Sequence, residues 1–210
     1  MKYIEKGPEP ETFLEWKALP HDNWEPEYNS MGSLHKNRLK EALMKEQGYI
    51  CCYCERRLVA EDSHIEHFKP RSDPSVDPLD YANMLCSCQN QLKKGEPRHC
   101  GNLKEDWFDA SLLVSPLSPD CEQKFIFTAD GGIHAKTADE AAFATIEKLG
   151  LNIPKLNDLR EKAMEPFLDE TLSEQELKQF VTGYLQKNTQ GMYGEFCMAI
   201  KDVFSDYIGT

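Results

Sequence analysis

The sequence predicts an α+β fold. A small cysteine-rich unit of strands and turns, stapled by a metal, should carry an N-terminal arm and a C-terminal helical shell. Three observations predict this. Cys51, Cys52, Cys54, Cys86, Cys88 and Cys100, six of the 8 cysteines, fall between positions 51 and 100. The same window turns aromatic and β-branched between Tyr49 and Val59. Beyond Cys121 a hairpin signal is followed by apolar residues at helical spacing.

The elements follow in chain order. Residues 1–30 are rich in Pro, Glu and Trp, with Pro8, Pro10, Trp16, Pro20, Trp24 and Pro26. They predict an extended arm with one short helix over 11–18, and the arm is a candidate partner-docking element. Residues 34–47 read as a helix, with Leu39, Leu43 and Glu46 near helical spacing, Ser33 as cap and Gly48 as stop. Residues 49–59 suggest a hairpin with the cysteines at its turn. Residues 63–68 suggest a strand, and Pro70, Pro74 and Pro78 mark a loop over 69–80. Residues 81–88 are open between helix and strand, and 89–99 read as a loop. This places a core unit over 31–120. The remaining unit, 121–210, starts with a hairpin around Asp130-Gly131-Gly132. A capping box at 137–140 opens a helix with Phe143, Ile146 and Leu149 on its stripe. Pro154 starts another helix, with Leu156, Leu159, Ala163 and Phe167 inward. Ser173 and Glu176 form a second capping box before Leu177, Phe180, Val181, Tyr184 and Leu185, and a last helix carries Phe196, Ile200, Val203, Phe204 and Tyr207.

Composition narrows the function. With 24 basic and 36 acidic residues the net charge is −12. That excludes a nucleic-acid binder relying on bulk positive charge, but leaves room for a local basic strip of Lys69, Arg71, Lys93, Lys94, Arg98 and Lys104. No apolar run approaches a membrane span. The first six residues lack an apolar signal region, so the expected location is cytoplasmic and the cysteines should serve metal binding or catalysis. His21, His35 and His134 have no sequence partners and are expected on the surface.

Cys51-x-x-Cys54 has the spacing of a zinc knuckle, because two thiolates on one tight turn can meet a tetrahedral ion. Two of Cys86, Cys88 and Cys100 would complete a four-thiolate site. Between the cysteine groups stands His64-Ile65-Glu66-His67-Phe68-Lys69-Pro70-Arg71. An acid beside a histidine, followed by basic residues, suits metal-assisted phosphodiester cleavage. The acid holds a divalent cation, a neutral imidazole takes a proton from water, and Lys69 or Arg71 clamps phosphate.

The run Cys51 to Cys54, Glu66-His67, Asn83, Cys88, Cys100, Asn102 and Lys104 resembles the HNH endonucleases of the ββα-metal class. More narrowly, Cys-Tyr-Cys-Glu at 52–55, Ile-Glu-His-Phe-Lys-Pro-Arg-Ser at 65–72 and His99-Cys100-Gly101 are similar to the PtuB-type HNH proteins of Septu and retron-associated anti-phage systems. The downstream runs at 145–152 and 159–160 fit as well. The resemblance implies a zinc-stapled ββα-metal core. His67 would be the general base, and Asn83 would hold the loop that presents it. Glu66 would ligate the catalytic cation, Mg²⁺ or another divalent ion, together with Asn102 or, in its place, His64 or His99. Lys69, Arg71 and Lys104 would face phosphate. Cys51, Cys54, Cys88 and Cys100 would hold a structural zinc, with Cys52 and Cys86 as bystanders. It also implies a nucleic-acid substrate, an SMC/ABC-like (PtuA-type) ATPase partner and a retron reverse transcriptase with its RNA/DNA. The expected function is thus an HNH endonuclease in an anti-phage complex. The alternatives are a non-catalytic zinc-binding adaptor of that complex and a thiol redox protein.

Overall fold

The computed structural model describes residues 1–19 and 25–208. Pro20, His21 and Trp24, named above for the arm and surface, lie outside the described residues. The arm runs extended to Pro10, whose fixed φ of −60° leads into α1 (Glu11–Lys17). Phe13 and Trp16 turn inward, stacked with ring centroids 5.7 Å apart. They are buried where α1 packs on α2 (Ser33–Glu46). Lys6 Nζ lies 2.7 Å from the Glu46 carboxylate and 3.6 Å over the Tyr81 ring. The Ile4 N–H donates to the Pro116 carbonyl at 2.8 Å. The described arm is therefore core material, and its aromatics are not the exposed docking surface that the sequence suggested.

In α2, Leu39 and Leu43 are fully buried. The cap position is Gly32, with Ser33 already the first helical residue, so Ser33 does not cap. Gly48 ends the helix with φ +65°, a conformation that favours glycine, and a Cβ there would strike the Tyr193 ring. An Ile50–Arg57 bridge then closes a tight knuckle around Cys51 to Cys54. The following strand β1 (Ser63–His67) pairs antiparallel with β2 (Met84–Cys88), placing Ser63 opposite Cys88 and His67 opposite Met84. Residues 81–88 take both of the forms left open, a 3-10 turn at Tyr81–Asn83 and then β2. After the 89–99 loop comes a single turn of helix, α3 (Gly101–Lys104).

A second ribbon pairs β3 (Phe125–Phe127) with β4 (Ile133–Ala135). In α4 (Glu140–Lys148) the cap is Asp139, which accepts from the Ala142 N–H, rather than Thr137. The buried stripe of α4 is Ala142, Thr145 and Ile146, while Phe143 is exposed. Thr145 can turn inward because its hydroxyl donates to the Leu112 carbonyl and accepts from the Val114 N–H. Next come α5 (Pro154–Met164), α6 (Glu174–Tyr184), α7 (Cys197–Val203) and α8 (Ser205–Ile208). The capping box of α6 forms in full between Ser173 and Glu176. Phe180 and Tyr207, expected inward, are exposed.

The protein thus mixes helices with two small antiparallel ribbons. One apolar cluster runs from Met1 through the cysteines to Ala199, so the arm, the centre and the C-terminal helices share a core. A satellite cluster joins Met164, Phe167, Val181, Ile200 and Phe204. Among the described residues, no helix is long and apolar enough to cross a membrane.

Arg160, on the inner face of α5, is buried. Its guanidinium donates to the carbonyls of Gly131 at 3.0 Å and Leu151 at 2.6 Å and to the Asn157 side chain at 3.1 Å. It lies 5.8 Å from the Phe127 and Phe196 ring centroids. Burial draws its pKa down, while Cys54, Glu55 and Cys100 work to keep it charged. Arg160→Ala should destabilise the protein by about 3 kcal/mol or more, since hydrogen bonds from a charged donor contribute about 1.5–3 kcal/mol each. Arg160→Lys should not restore it, because an ammonium lacks the planar fork that reaches carbonyls on two sides. Denaturant midpoints of the metal-loaded proteins check this.

Candidate metal centre and active site

The Sγ atoms of Cys51, Cys54, Cys88 and Cys100 lie within 4.8 Å of one another, and all four residues are buried. Sulfurs at the corners of a tetrahedron with 2.3 Å bonds stand about 3.8 Å apart. The Cys54–Cys88 separation of 3.7 Å matches. The donors fit a thiophilic metal such as zinc. They come from the knuckle, the end of β2 and the residue before α3. Glu55 and Gln89, each just after a cysteine, have φ of 65° and 68°, and Cys100 itself has φ of 55°. These turns aim the sulfurs inward.

Geometry rather than protonation picks out the four sulfurs, since burial and the Cys51 and Cys54 sulfurs hold Cys100 and Cys88 well above the usual thiol range. Burial opposes ionisation of Cys51, but hydrogen bonds from Cys100, Cys52, Cys54 and Cys88 bring it well below the usual thiol range. Cys54 is lowered in the same way by Cys100 and Cys88. Burial and the neighbouring Cys51 also push Cys52 far up and Cys86 to about 12. The Cys88 N–H donates to Cys51 Sγ at 3.4 Å. His99 Nδ1 is 3.2 Å from Cys100 Sγ and 3.7 Å from Cys88 Sγ, so this histidine belongs to the sulfur cluster.

Glu66 and His67 occupy the end of β1. Strand alternation puts His64 and Glu66 on one face and His67 on the other. Glu66 Oε1 accepts from the Tyr53 hydroxyl at 3.0 Å and pairs with Lys104 Nζ at 3.0 Å. Glu66 Oε2 lies 3.6 Å from His64 Nε2. Burial alone would raise the carboxyl, but His64 and Lys104 outweigh it and hold Glu66 below its ordinary value, so it is ionised. Burial raises Tyr53 well above the usual phenol range, which keeps it a donor.

His67 Nε2 stands 3.0 Å from the Pro78 carbonyl. A carbonyl only accepts, so Nε2 carries the proton and Nδ1 is left as the accepting nitrogen. The Tyr28 ring meets the imidazole edge-on at 4.7 Å. Burial lowers the His67 pKa against the opposing Pro78 bond, which favours the neutral ring at neutral pH. The Asn83 side chain accepts from the Lys69 N–H at 2.8 Å and donates to the Lys69 carbonyl at 2.9 Å. It thereby clamps the chain just after His67.

The remaining expected residues divide. Lys69 is exposed beside the clamp. Arg71 is exposed, donates to Asn29 Oδ1 at 2.9 Å and lies 4.5 Å over the Tyr28 ring. Lys104, expected to face phosphate, is buried against Glu66 and also donates to the His67 carbonyl at 3.2 Å. Asn102, expected beside the cation, donates its amide to the Gln89 carbonyl at 2.9 Å, and its side chain has no bond to Glu66. In a one-turn helix Gly101 and Lys104 share the face toward Glu66, while Asn102 points about 100° round the axis. Tyr53 and the buried Gln89, which accepts from the His99 N–H at 2.8 Å, were not anticipated. The period of two along β1 is the signal that joins His64 to Glu66.

No family model matches the chain. Two curated relatives do. The protein named "Retron Vc95 putative HNH endonuclease", from Vibrio cholerae serotype O1 biovar El Tor, is 31% identical over 138 residues, covering 62% of this chain and 65% of that protein. The "Retron Ec83 putative HNH endonuclease" of Escherichia coli is 29% identical over 208 residues, covering 80% of each.

The sulfur cluster makes a direct prediction. Cys51→Ser, Cys54→Ser, Cys88→Ser and Cys100→Ser should each lower metal content and soluble yield together, because a site this small contributes to folding through its metal. Cys52→Ser should lower neither. Elemental analysis of the purified proteins checks both, and equal effects at Cys52 and Cys54 would remove the ligand assignment.

Proposed function

Since the chain is an HNH endonuclease relative, related to retron-associated proteins, we propose that it is the metal-dependent effector nuclease of an anti-phage defence complex and hydrolyses phosphodiester bonds in nucleic acid. The observation that carries this is the pair at the end of β1: an ionised Glu66 gripped by Tyr53 and Lys104, beside a neutral His67 whose proton is pinned on Nε2 by Pro78. In this reading β1, β2 and α3 form a ββα-metal core. Cys51, Cys54, Cys88 and Cys100 hold a structural zinc, and Glu66 helps to hold Mg²⁺ or a similar cation.

The chemistry then assigns each side chain a task. His67 Nδ1 accepts the proton of the attacking water, while the Pro78 carbonyl keeps the ring in that tautomer. Asn83 fixes the main chain beyond His67, while the Pro78 carbonyl and the Tyr28 ring hold the imidazole itself. Lys69 and Arg71, both exposed, meet substrate phosphates. Lys104 and Tyr53 hold the Glu66 carboxylate in one orientation. A divalent cation held there by Glu66 would stabilise the charge on the phosphate and the leaving oxygen.

A net charge of −12 leaves little attraction for a polyanion. An SMC/ABC-like ATPase partner, supported by the resemblance to PtuB-type proteins, would supply substrate affinity and positioning. A retron reverse transcriptase with its RNA/DNA would tie the complex to its trigger. Because the arm is part of the core, its removal should unfold the chain rather than simply release the partner.

The test is incubation of the purified chain, alone and with its ATPase, with DNA and RNA panels plus Mg²⁺. Cleavage should require the cation. His67→Ala should reduce turnover by about 10²–10⁴-fold, the usual contribution of a general base, with metal content and fold intact. Full cleavage by His67→Ala would sink the mechanism.

A further inference from the structure

The face of α3 that meets Glu66 carries Lys104, paired with Oε1, and no side chain opposite Oε2. Its first residue is Gly101. A Cβ at Gly101 would overlap Glu66 Oε2 and come within 2.8 Å of His64 Nε2. Those two atoms therefore converge on the space above the glycine backbone, 3.6 Å apart. Two donors each about 2.1 Å from one cation can stand at that separation. The other Glu66 oxygen is engaged by Tyr53 and Lys104, which leaves Oε2 free to face His64. His64 is about a quarter exposed whereas Glu66 is buried, so the pair opens to solvent on the histidine side.

Building on the nuclease reading above, we propose that His64 is the second protein ligand of the divalent cation held by Glu66, and that Gly101 is the residue that makes room for it. Strand and helix have traded roles. The donor comes from β1, two residues before Glu66 on the same strand face, and α3 contributes a bare backbone in place of a side-chain ligand. Asn102 cannot take this position, because its amide is turned to the Gln89 carbonyl. His99 turns its Nδ1 to Cys100 and Cys88, and neither of its ring nitrogens hydrogen-bonds to Glu66. Two protein donors leave the remaining positions to water and substrate phosphate oxygens, the usual division for a hard divalent cation.

The test uses Mn²⁺ as probe, titrated into the zinc-loaded full chain and followed by electron paramagnetic resonance of the free ion. Zinc content of every variant reports that the sulfur cluster is intact. His64→Ala and Glu66→Gln should each weaken the same single Mn²⁺ site by about tenfold or more, whereas Asn102→Ala should leave it in place. Gly101→Ala should weaken it as well, and if that variant does not fold, the His64 and Glu66 variants carry the test alone. If Glu66→Gln loses the site and His64→Ala keeps it, the His64 assignment is overturned while the nuclease reading stands. Loss in Asn102→Ala would return the ligand to the helix and overturn the proposal. A site unchanged by both His64→Ala and Glu66→Gln would remove the Glu66 cation altogether, and the proposed mechanism with it.

Discussion

Four sulfurs from three separate stretches of chain meet in the interior, and the position of nearly every other functional group follows from where they meet. Cys51 and Cys54 fix the knuckle that presents Tyr53, Cys88 fixes the end of β2, and Cys100 fixes the start of α3. With β2 anchored, its partner β1 is held in register, and Glu66 and His67 arrive at the strand end. With Cys100 anchored, Gly101 and Lys104 are placed beneath Glu66. The arrangement needs non-glycine residues in the left-handed region at Glu55, Gln89 and Cys100. Each such residue costs about 1–3 kcal/mol. Binding of a structural metal to a four-thiolate site, about 10–16 kcal/mol, is large enough to hold all three.

Four thiolates around a divalent ion leave a net charge of −2 in the interior, which must be balanced locally. The protein answers with directed dipoles and one cation. The Cys88 N–H points at Cys51 Sγ, and Ser87 Oγ is 3.7 Å from the same sulfur. His99 lies against Cys88 and Cys100. Arg160 brings a guanidinium from α5, a helix distant in sequence, and feels the field of Cys54 and Cys100. The C-terminal helices are therefore joined to the centre by electrostatics as well as by apolar packing.

Much of this was legible in the residues, and the exceptions have definite causes. The knuckle spacing, the β1 strand, the Asp130-Gly131-Gly132 hairpin and the Ser173 capping box are local signals, and each forms where expected. The choice between Cys86 and Cys88 was not local. Both face the same side of β2, and only the roughly 7 Å between alternate strand residues separates the ligand from the bystander. Lys104 read as a phosphate contact because lysine is usually exposed, and nothing in its neighbours reveals a buried carboxylate partner from β1. Asn102 was one residue from the face that matters, an offset that a helix of a single turn does not announce in its pattern. Trp16 was taken for a docking aromatic because its burial depends on α2, which is remote in the periodicity of the arm.

The charge pattern at Glu66 links the fold to the proposed chemistry. Lys104 already neutralises this carboxylate, and His64 adds a donor but no negative charge in its neutral form. A divalent cation seated there keeps most of its positive charge, so the free protein should hold it weakly and an approaching phosphate should strengthen its hold. Cation and polyanion then assist each other, a reciprocity that linkage requires of any two ligands whose binding is coupled. A chain with a net charge of −12 would gain from such a site, because the proposed cation would supply positive charge at the point where phosphate must approach. Were Lys104 absent, Glu66 would hold the cation more tightly before substrate arrived. The carboxylate would then lack the buried partner that keeps it ionised and oriented toward Gly101. In the proposed site the buried lysine would thus trade cation affinity in the free protein for a fixed carboxylate and a cation left free to attract phosphate.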